Sequence, residues 1–130
     1  MRGWFAGFFQ DSFPKALNQQ VGPETVALLH LDCIYYESVL LALRTWYDRV
    51  AEGGVIVISD FGEKEGSRRA FYTFVAERGL APVIHKIDTT RLWWMKGEEH
   101  TAGGNWYDSI CYNPSPVRHT TRWERTTLQL

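Results

Sequence analysis

Apolar residues fall into short runs separated by amphipathic stretches. Val26-Ala27-Leu28-Leu29-His30-Leu31 is nearly continuous, the pattern of a strand buried on both faces. It stops at Asp32. From Glu37 to Ala51, the residues Val39, Leu40, Leu43, Trp46, Tyr47 and Val50 recur at helical spacing, which predicts an amphipathic helix. Gly53-Gly54 is placed as its C-terminal stop. Val55-Ile56-Val57-Ile58 predicts a second buried strand, ending at Ser59-Asp60-Phe61-Gly62. Ser67 to Arg78 predicts another helix, with Ala70, Phe71, Phe74 and Val75 on one face and Gly79 as its stop. Pro82 to Ile87 and Arg91 to Lys96 predict a third and a fourth strand, and the short Asp88-Thr89-Thr90 link joins them as a hairpin. Met1 to Val21 reads as the end of an earlier strand, a loop and a short helix.

Strand, helix, strand, helix and a closing hairpin describe an α/β protein with a mainly parallel sheet and a C-terminal antiparallel hairpin. The crossover between its parallel strands is expected to be right-handed. Residues 97–130 carry little pattern. They hold Gly103-Gly104, Asn113-Pro114-Ser115-Pro116 and many Thr and Arg. This stretch is expected to be an irregular aromatic and basic tail, loosely ordered or packing through Trp106, Tyr107 and Trp123. The chain contains no internal repeat.

Composition narrows the function classes. The 130 residues carry 14 Lys and Arg against 15 Asp and Glu, a net charge of −1. That balance argues against nucleic-acid binding through bulk positive charge and gives no electrostatic reason to sit on an anionic membrane. The basic residues Arg118, His119, Arg122 and Arg125 are too sparse to alter this. With 45% hydrophobic and 22% charged residues, the chain is globular in composition. No apolar run approaches the ~20 residues that span a bilayer. The apolar N-terminus is too short for a signal peptide and lacks a small-residue cleavage site. Cys33 and Cys111 make no disulfide framework, so a reducing cytoplasm is the expected setting.

The candidate chemistry lies at the strand ends, since open α/β sheets bind ligands beyond the carboxyl ends of their strands. Asp32 and Asp60 occupy two such ends, 60 − 32 = 28 residues apart, a length that suits one strand-helix-strand unit. Neighbouring strands lie ~4.8 Å apart, so the two carboxylates are placed to share one hard cation. Mg²⁺ suits such a pair, because it takes one or two carboxylates and keeps waters or substrate oxygens. The plainer alternative is that Asp60 caps the next turn and Asp32 is solvated. His30 reads as a satisfied core histidine. Cys33 reads as a small buried residue with no partner pattern for a nucleophile. Arg68-Arg69 reads as the solvated start of a helix, and Trp93-Trp94 as a pair packed in the sheet. The chain has no P-loop and no Gly-x-Gly-x-x-Gly.

Five collinear segments resemble one family. Leu29 to Ser38 is similar to the LHLDxDLYES signature of the macrocin O-methyltransferase (TylF/MycF) family. Gly53 to Gly62 resembles its GGxVIxDDYG segment, and Gly66 to Phe74 its GCRxAVxxF helix. Gly7 to Pro14 resembles its GWFxDTLP stretch. Ile87-Asp88 with Trp94 to Lys96 resembles its closing ID…YWRK. The resemblance spans roughly Gly3 to Lys96. It implies a class I methyltransferase with a Rossmann-like fold, using S-adenosylmethionine (SAM) and Mg²⁺ to methylate a hydroxyl of a small molecule, commonly a natural-product sugar. The metal lowers the hydroxyl pKa and an acid takes the proton.

Three departures qualify what the resemblance implies. The second acid of Asp-x-Asp, expected as general base, falls at Ile34, which accepts no proton. The first acid of the Asp-Asp pair falls at Ser59, a weak ligand beside Asp32 and Asp60. The Gly-rich loop that holds SAM would lie upstream of Met1. Residues 1–96 are therefore expected to be the C-terminal portion of a partial Rossmann-like methyltransferase domain, with its activity alone left open. His30 and Tyr36 would be supporting or packing residues. The alternative is a non-catalytic module of the same fold that binds or dimerises, possible as a homo-oligomer through an open sheet edge. An unrelated metal-dependent hydrolase using Asp32 and Asp60 would require all five matches to be chance.

Overall fold

The apolar run ending at Ile58 forms the centre of a four-stranded sheet, because it finds a hydrogen-bonded neighbour on each side. The computed structural model describes residues 5–18 and 25–100. Its elements are α1 (Phe9–Asn18), β1 (Val26–Leu31), α2 (Tyr36–Trp46), a 3-10 turn (Tyr47–Arg49), β2 (Val50–Ile58), α3 (Glu65–Arg78), β3 (Pro82–Lys86) and β4 (Leu92–Glu99). The strand order is β1-β2-β4-β3. β1 pairs with β2 in parallel, while β4 is antiparallel to both β2 and β3. The strand-helix-strand unit and the closing hairpin are thus both present.

Alternation along β2 sorts the core. Ile56 and Ile58 are fully buried, with Val50 and Gly54 also buried and Val55 and Val57 less so. Paired residues share a sheet face, so Leu29, Ile56, Trp94 and Ile84 form one row, and Leu31, Ile58 and Leu92 the next. Against this face pack the apolar stripes of α2 (Val39, Leu40, Leu43) and α3 (Ala70, Phe71, Phe74, Val75). Phe71 is central. Its ring centroid lies 5.4 Å from Phe61 and 5.2 Å from Trp94, both edge-on. It joins the turn after β2 to the sheet.

Several expectations need correction. β1 is not buried on both faces: Leu31 is buried, but Leu28 is 58% exposed and His30 is exposed. Among the described residues β1 is an edge strand, and none of them covers the face carrying Leu28 and His30. The helix after it does not run to Gly53-Gly54. It ends at Trp46 and passes through the 3-10 turn into β2, which contains both glycines. Lys96 replaces a glycine stop there, its Nζ donating to the carbonyls of Tyr47 (3.1 Å) and Val50 (2.7 Å). A cation at the final carbonyls of a helix satisfies groups that have no partner within it. The two glycines fall where the β1–β2 register jumps from Val26↔Val50 to Leu28↔Val55, which is a bulge.

Gly79 does end α3, in the left-handed conformation with φ 63°. The short N-terminal helix is present as α1, and its Phe13 ring meets Trp46 edge-on at 5.5 Å. No strand lies in residues 5–8, and the rest of that expectation falls outside the described residues. The last strand continues through Gly97 to Glu99, beyond the expected boundary at residue 96. The tail after His100 lies outside the described residues. Trp93-Trp94 packs in the sheet as expected, with Trp94 fully buried and Trp93 stacked on His85 at 4.3 Å.

Phe71→Ala is expected to destabilise the chain by about 3–5 kcal/mol in denaturant unfolding, the usual cost of emptying a buried aromatic site. A loss under ~1 kcal/mol would show that the Phe61–Phe71–Trp94 contact is not central to the core. A second expectation concerns acid. Asp88, in the β3–β4 turn, accepts from the Thr90 and Arg91 amides (2.9 and 2.7 Å) and from Arg91 Nε (2.7 Å). Those donors hold its carboxyl well below the usual value, the Arg91 side chain foremost. A depressed carboxylate stabilises the fold above its unfolded pKa, and the contribution fades as pH falls below about 4. Asp88→Asn should therefore lower stability at neutral pH and flatten its decline toward acid, read from melting temperature against pH.

Candidate active site

Parallel pairing of β1 and β2 brings the two candidate acids to one end of the sheet. Leu31 is opposite Ile58, and Ser59 N–H donates to the Leu31 carbonyl at 3.0 Å, carrying the ladder one step past the strands. Asp32 and Asp60 follow directly on neighbouring strands. Asp32 is exposed, and Ser59 and Asp60 are half-buried. Neither carboxylate has a hydrogen bond or ion pair with a described residue. Asp60 does hold the next turn, but through its backbone: its carbonyl accepts from Lys64 N–H at 2.8 Å. The capping alternative therefore leaves its carboxylate unused.

The half-buried Cys33 reports on both acids. Burial pushes its thiol up to about 11, and the negative charges of Asp32 and then Asp60 push in the same direction. It stays protonated near neutrality, which fits a packing residue rather than a nucleophile. Ile34, at the expected base position, is 41% exposed on the same loop. Tyr36 packs at the start of α2, its hydroxyl donating to Thr73 Oγ1 at 3.3 Å and its ring lying 5.2 Å from the Arg69 guanidinium.

Two sequence readings change here. His30 is not a core histidine. It is exposed, and its Nε2 lies 2.7 Å from Ser59 Oγ. That contact occupies the hydroxyl expected to be a weak metal ligand. Arg68 is not the solvated start of a helix. It is 6% exposed, and its Nη1 donates to the carbonyls of Phe61 (3.2 Å) and Gly62 (3.1 Å). Burial lowers its pKa, opposed by the charge of Glu65. Next to it Ser67 is fully buried, and its hydroxyl donates to the Cys33 carbonyl at 3.1 Å. Hydropathy gave no signal for either role, because a polar side chain bonded to backbone looks like any solvated one in sequence.

For a hard cation the residues present fit in part. Two unpartnered carboxylates at adjacent strand ends are a donor set that Mg²⁺ accepts. No group of three or more His, Cys, Asp or Glu suited to a metal exists among the described residues. For SAM the fit fails: no Gly-rich loop following a strand and opening a helix occurs among the described residues. No helix among the described residues is long and apolar enough to cross a membrane.

Comparison with known proteins shows the family and the fold. The family described as Macrocin-O-methyltransferase (TylF) matches residues 3–96. The 8-demethyl-8-(2,3-dimethoxy-α-L-rhamnosyl)-tetracenomycin-C 4′-O-methyltransferase of Streptomyces olivaceus is 30% identical over 96 residues, covering 74% of this chain and 33% of the relative. Demethyldecarbamoylnovobiocin O-methyltransferase of Streptomyces niveus is 27% identical over 90 residues, covering 69% of this chain and 32% of the relative. Among solved structures, the O-methyltransferase NovP superposes with TM-score 0.63 at 25% identity, over 71% of this chain and 36% of that one. CalS11, a TDP-rhamnose 3′-O-methyltransferase, superposes with TM-score 0.61 at 13% identity, over 71% of this chain and 40% of that one, which shows the shared fold. The chain thus spans about a third of the length of the curated relatives it matches.

The Cys33 environment provides a test of the site geometry. In a Cys111→Ser background, Asp32→Asn removes one negative charge that disfavours the thiolate. The Cys33 pKa should fall and alkylation by iodoacetamide at fixed alkaline pH should accelerate. An unshifted pH profile would place Asp32 away from the thiol.

Proposed function

The chain belongs to the macrocin O-methyltransferase family, and from that premise we propose that it forms the metal-binding portion of a SAM- and Mg²⁺-dependent O-methyltransferase. The acceptor would be a hydroxyl on a sugar or natural-product scaffold, the substrate type named for the relatives. One observation carries the proposal: Asp32 and Asp60 lie at the carboxyl ends of hydrogen-bonded parallel strands, with no described residue engaging either carboxylate.

Asp32 and Asp60 would hold the cation, with Ser59 contributing weakly or through water, since its hydroxyl is also within reach of His30. When bound, Mg²⁺ supplies Lewis-acid polarisation of an oxygen, which lowers a hydroxyl pKa. The chain's own part is to orient: the β1–β2 ladder fixes the spacing of the two acids, and exposed Asp32 beside half-buried Asp60 leaves room for an oxygen ligand. Ile34 neither takes nor gives a proton, so the base for the acceptor hydroxyl would come from elsewhere. No step of methyl transfer is assigned to described residues, because they offer no SAM cradle.

A second reading is favoured by one specific pair of substitutions. Ile34 and Ser59 stand where the family resemblance places acids, and a non-catalytic module that keeps the core would tolerate both. Restoring Ile34→Asp and Ser59→Asp together, in a version supplemented with the relatives' front portion, separates the two. A rise in methyl transfer favours the enzyme reading, and no change favours the module.

The direct test is thermal. Mg²⁺ at millimolar concentration should raise the melting temperature of the 130-residue chain. One-site linkage gives about 1–3 kcal/mol at [Mg²⁺] of ten to a hundred times Kd. Asp60→Ala should abolish the rise. A shift that persists in Asp60→Ala would remove that residue from the metal site.

A further inference from the structure

We infer that the first turn of α3, through Ser67 and Arg68, clamps the two acid-bearing loops into one fixed geometry, making both positioning residues for the cation site. The inference rests on the cation reading of Asp32 and Asp60 and deepens it.

The two acids leave the sheet on separate loops, 32–35 after β1 and 59–64 after β2. The ladder ends at the Ser59 N–H···Leu31 carbonyl bond, so beyond it the strands do not hold the loops together. One helical turn bridges them. Ser67 Oγ donates to the Cys33 carbonyl at 3.1 Å, on the residue after Asp32. Arg68 Nη1 donates to the carbonyls of Phe61 (3.2 Å) and Gly62 (3.1 Å), on the residues after Asp60. Consecutive residues thus grip opposite loops.

Close approach seals the arrangement. A Cβ on Gly66 would lie 2.7 Å from the Ile34 carbonyl oxygen and 2.9 Å from Tyr36 N. Any side chain there pushes the helix off the first loop. A Cβ on Gly62 would collide with the Thr89 carbonyl oxygen, and Gly62 N–H donates to the Thr90 carbonyl at 2.8 Å. The second loop is therefore held from the helix on one side and from the hairpin on the other.

The chemistry of Arg68 argues for more than packing. Arg68 is only 6% exposed as a residue, a costly place for a charged side chain, and no carboxylate forms an ion pair with it among the described residues. Its buried Nε has no hydrogen-bond partner among the described residues. An apolar side chain would fill the same volume without that desolvation cost. What the guanidinium adds is two charge-assisted bonds to the backbone that carries Asp60. Because it bonds carbonyls and not the carboxylate, it leaves Asp60 free for a ligand.

The test uses the full 130-residue chain and Mn²⁺, which shares the oxygen ligands of Mg²⁺ and broadens nearby amide signals. Broadening centred on Asp32 and Asp60 is titrated in the unaltered chain and in Arg68→Met, Arg68→Lys and Ser67→Ala. Amide hydrogen exchange is followed in parallel without metal. Arg68→Met should weaken Mn²⁺ binding about tenfold, the scale of one charge-assisted hydrogen bond. Arg68→Lys should recover part of that loss. Exchange at Gly62 and Lys64 should accelerate in Arg68→Met, and at residues 33–36 in Ser67→Ala, while Ile56 and Val57 in β2 stay protected. A merely structural arginine would lower stability and leave Mn²⁺ affinity alone. If Arg68→Met fails to fold, the lysine and Ser67→Ala chains carry the same comparison. Unchanged affinity and exchange in variants of a chain that binds Mn²⁺ would overturn the clamp and leave the cation reading standing. No broadening at either acid in the unaltered chain would overturn the cation reading, and the positioning role with it.

Discussion

Everything at the candidate site depends on the parallel pairing of β1 with β2. That ladder puts Leu31 opposite Ile58 and ends with Ser59 N–H bonded to the Leu31 carbonyl. Two acids distant in sequence become neighbours because an eleven-residue helix, α2, returns the chain in the same direction. The same pairing sets the faces. Leu29, Leu31, Ile56 and Ile58 turn toward α2 and α3, so residues just past the strands emerge at the edge of a rigid core. A site built on strand ends inherits the precision of the sheet, provided the loops that follow are also held.

Most of the fold was legible because hydrophobic periodicity reports burial directly. α3 and the hairpin lie close to where the patterns of Ala70–Val75 and Pro82–Lys96 place them, and β2 contains Val55–Ile58 but starts earlier, at Val50. The failures share one cause: the sequence reports which residues are apolar, not what covers them. Val26–Leu31 has the composition of a strand buried on both faces, yet Leu28 and His30 face no described element. The end of α2 escapes the pattern for a related reason. Gly53-Gly54 is a plausible stop, but Lys96 satisfies the carbonyls of Tyr47 and Val50 from a strand distant in sequence, and the glycines serve a bulge.

The site divides along the same line. The two acids were readable because strand ends and carboxylates are both local features. Arg68 and Ser67 were not, because their partners are backbone carbonyls, which every residue has. At His30 the pattern misleads for the converse reason: its apolar neighbours suggest a core position, while its strand exposes it beside Ser59. The motif resemblance was stronger than any of these single readings. It joined five segments whose spatial relation periodicity does not supply, and the family match covers the same residues 3–96.

The departures at Ile34 and Ser59 bear differently on binding and on chemistry. A hard cation tolerates the loss of one carboxylate, because water replaces it at a cost in affinity. Proton transfer has no such substitute at Ile34, where an exposed aliphatic side chain offers no basic atom. The two changes thus separate functions that a complete acid set would merge. On the proposed reading, Asp32 and Asp60 would still orient an oxygen ligand, and Ser67 and Arg68 still bond the loops that follow them. What is absent from this set is the base. On the proposed reading, a base other than the residue at position 34 must therefore reach the same strand ends, and the exposure of Asp32 and Ile34 leaves that approach open.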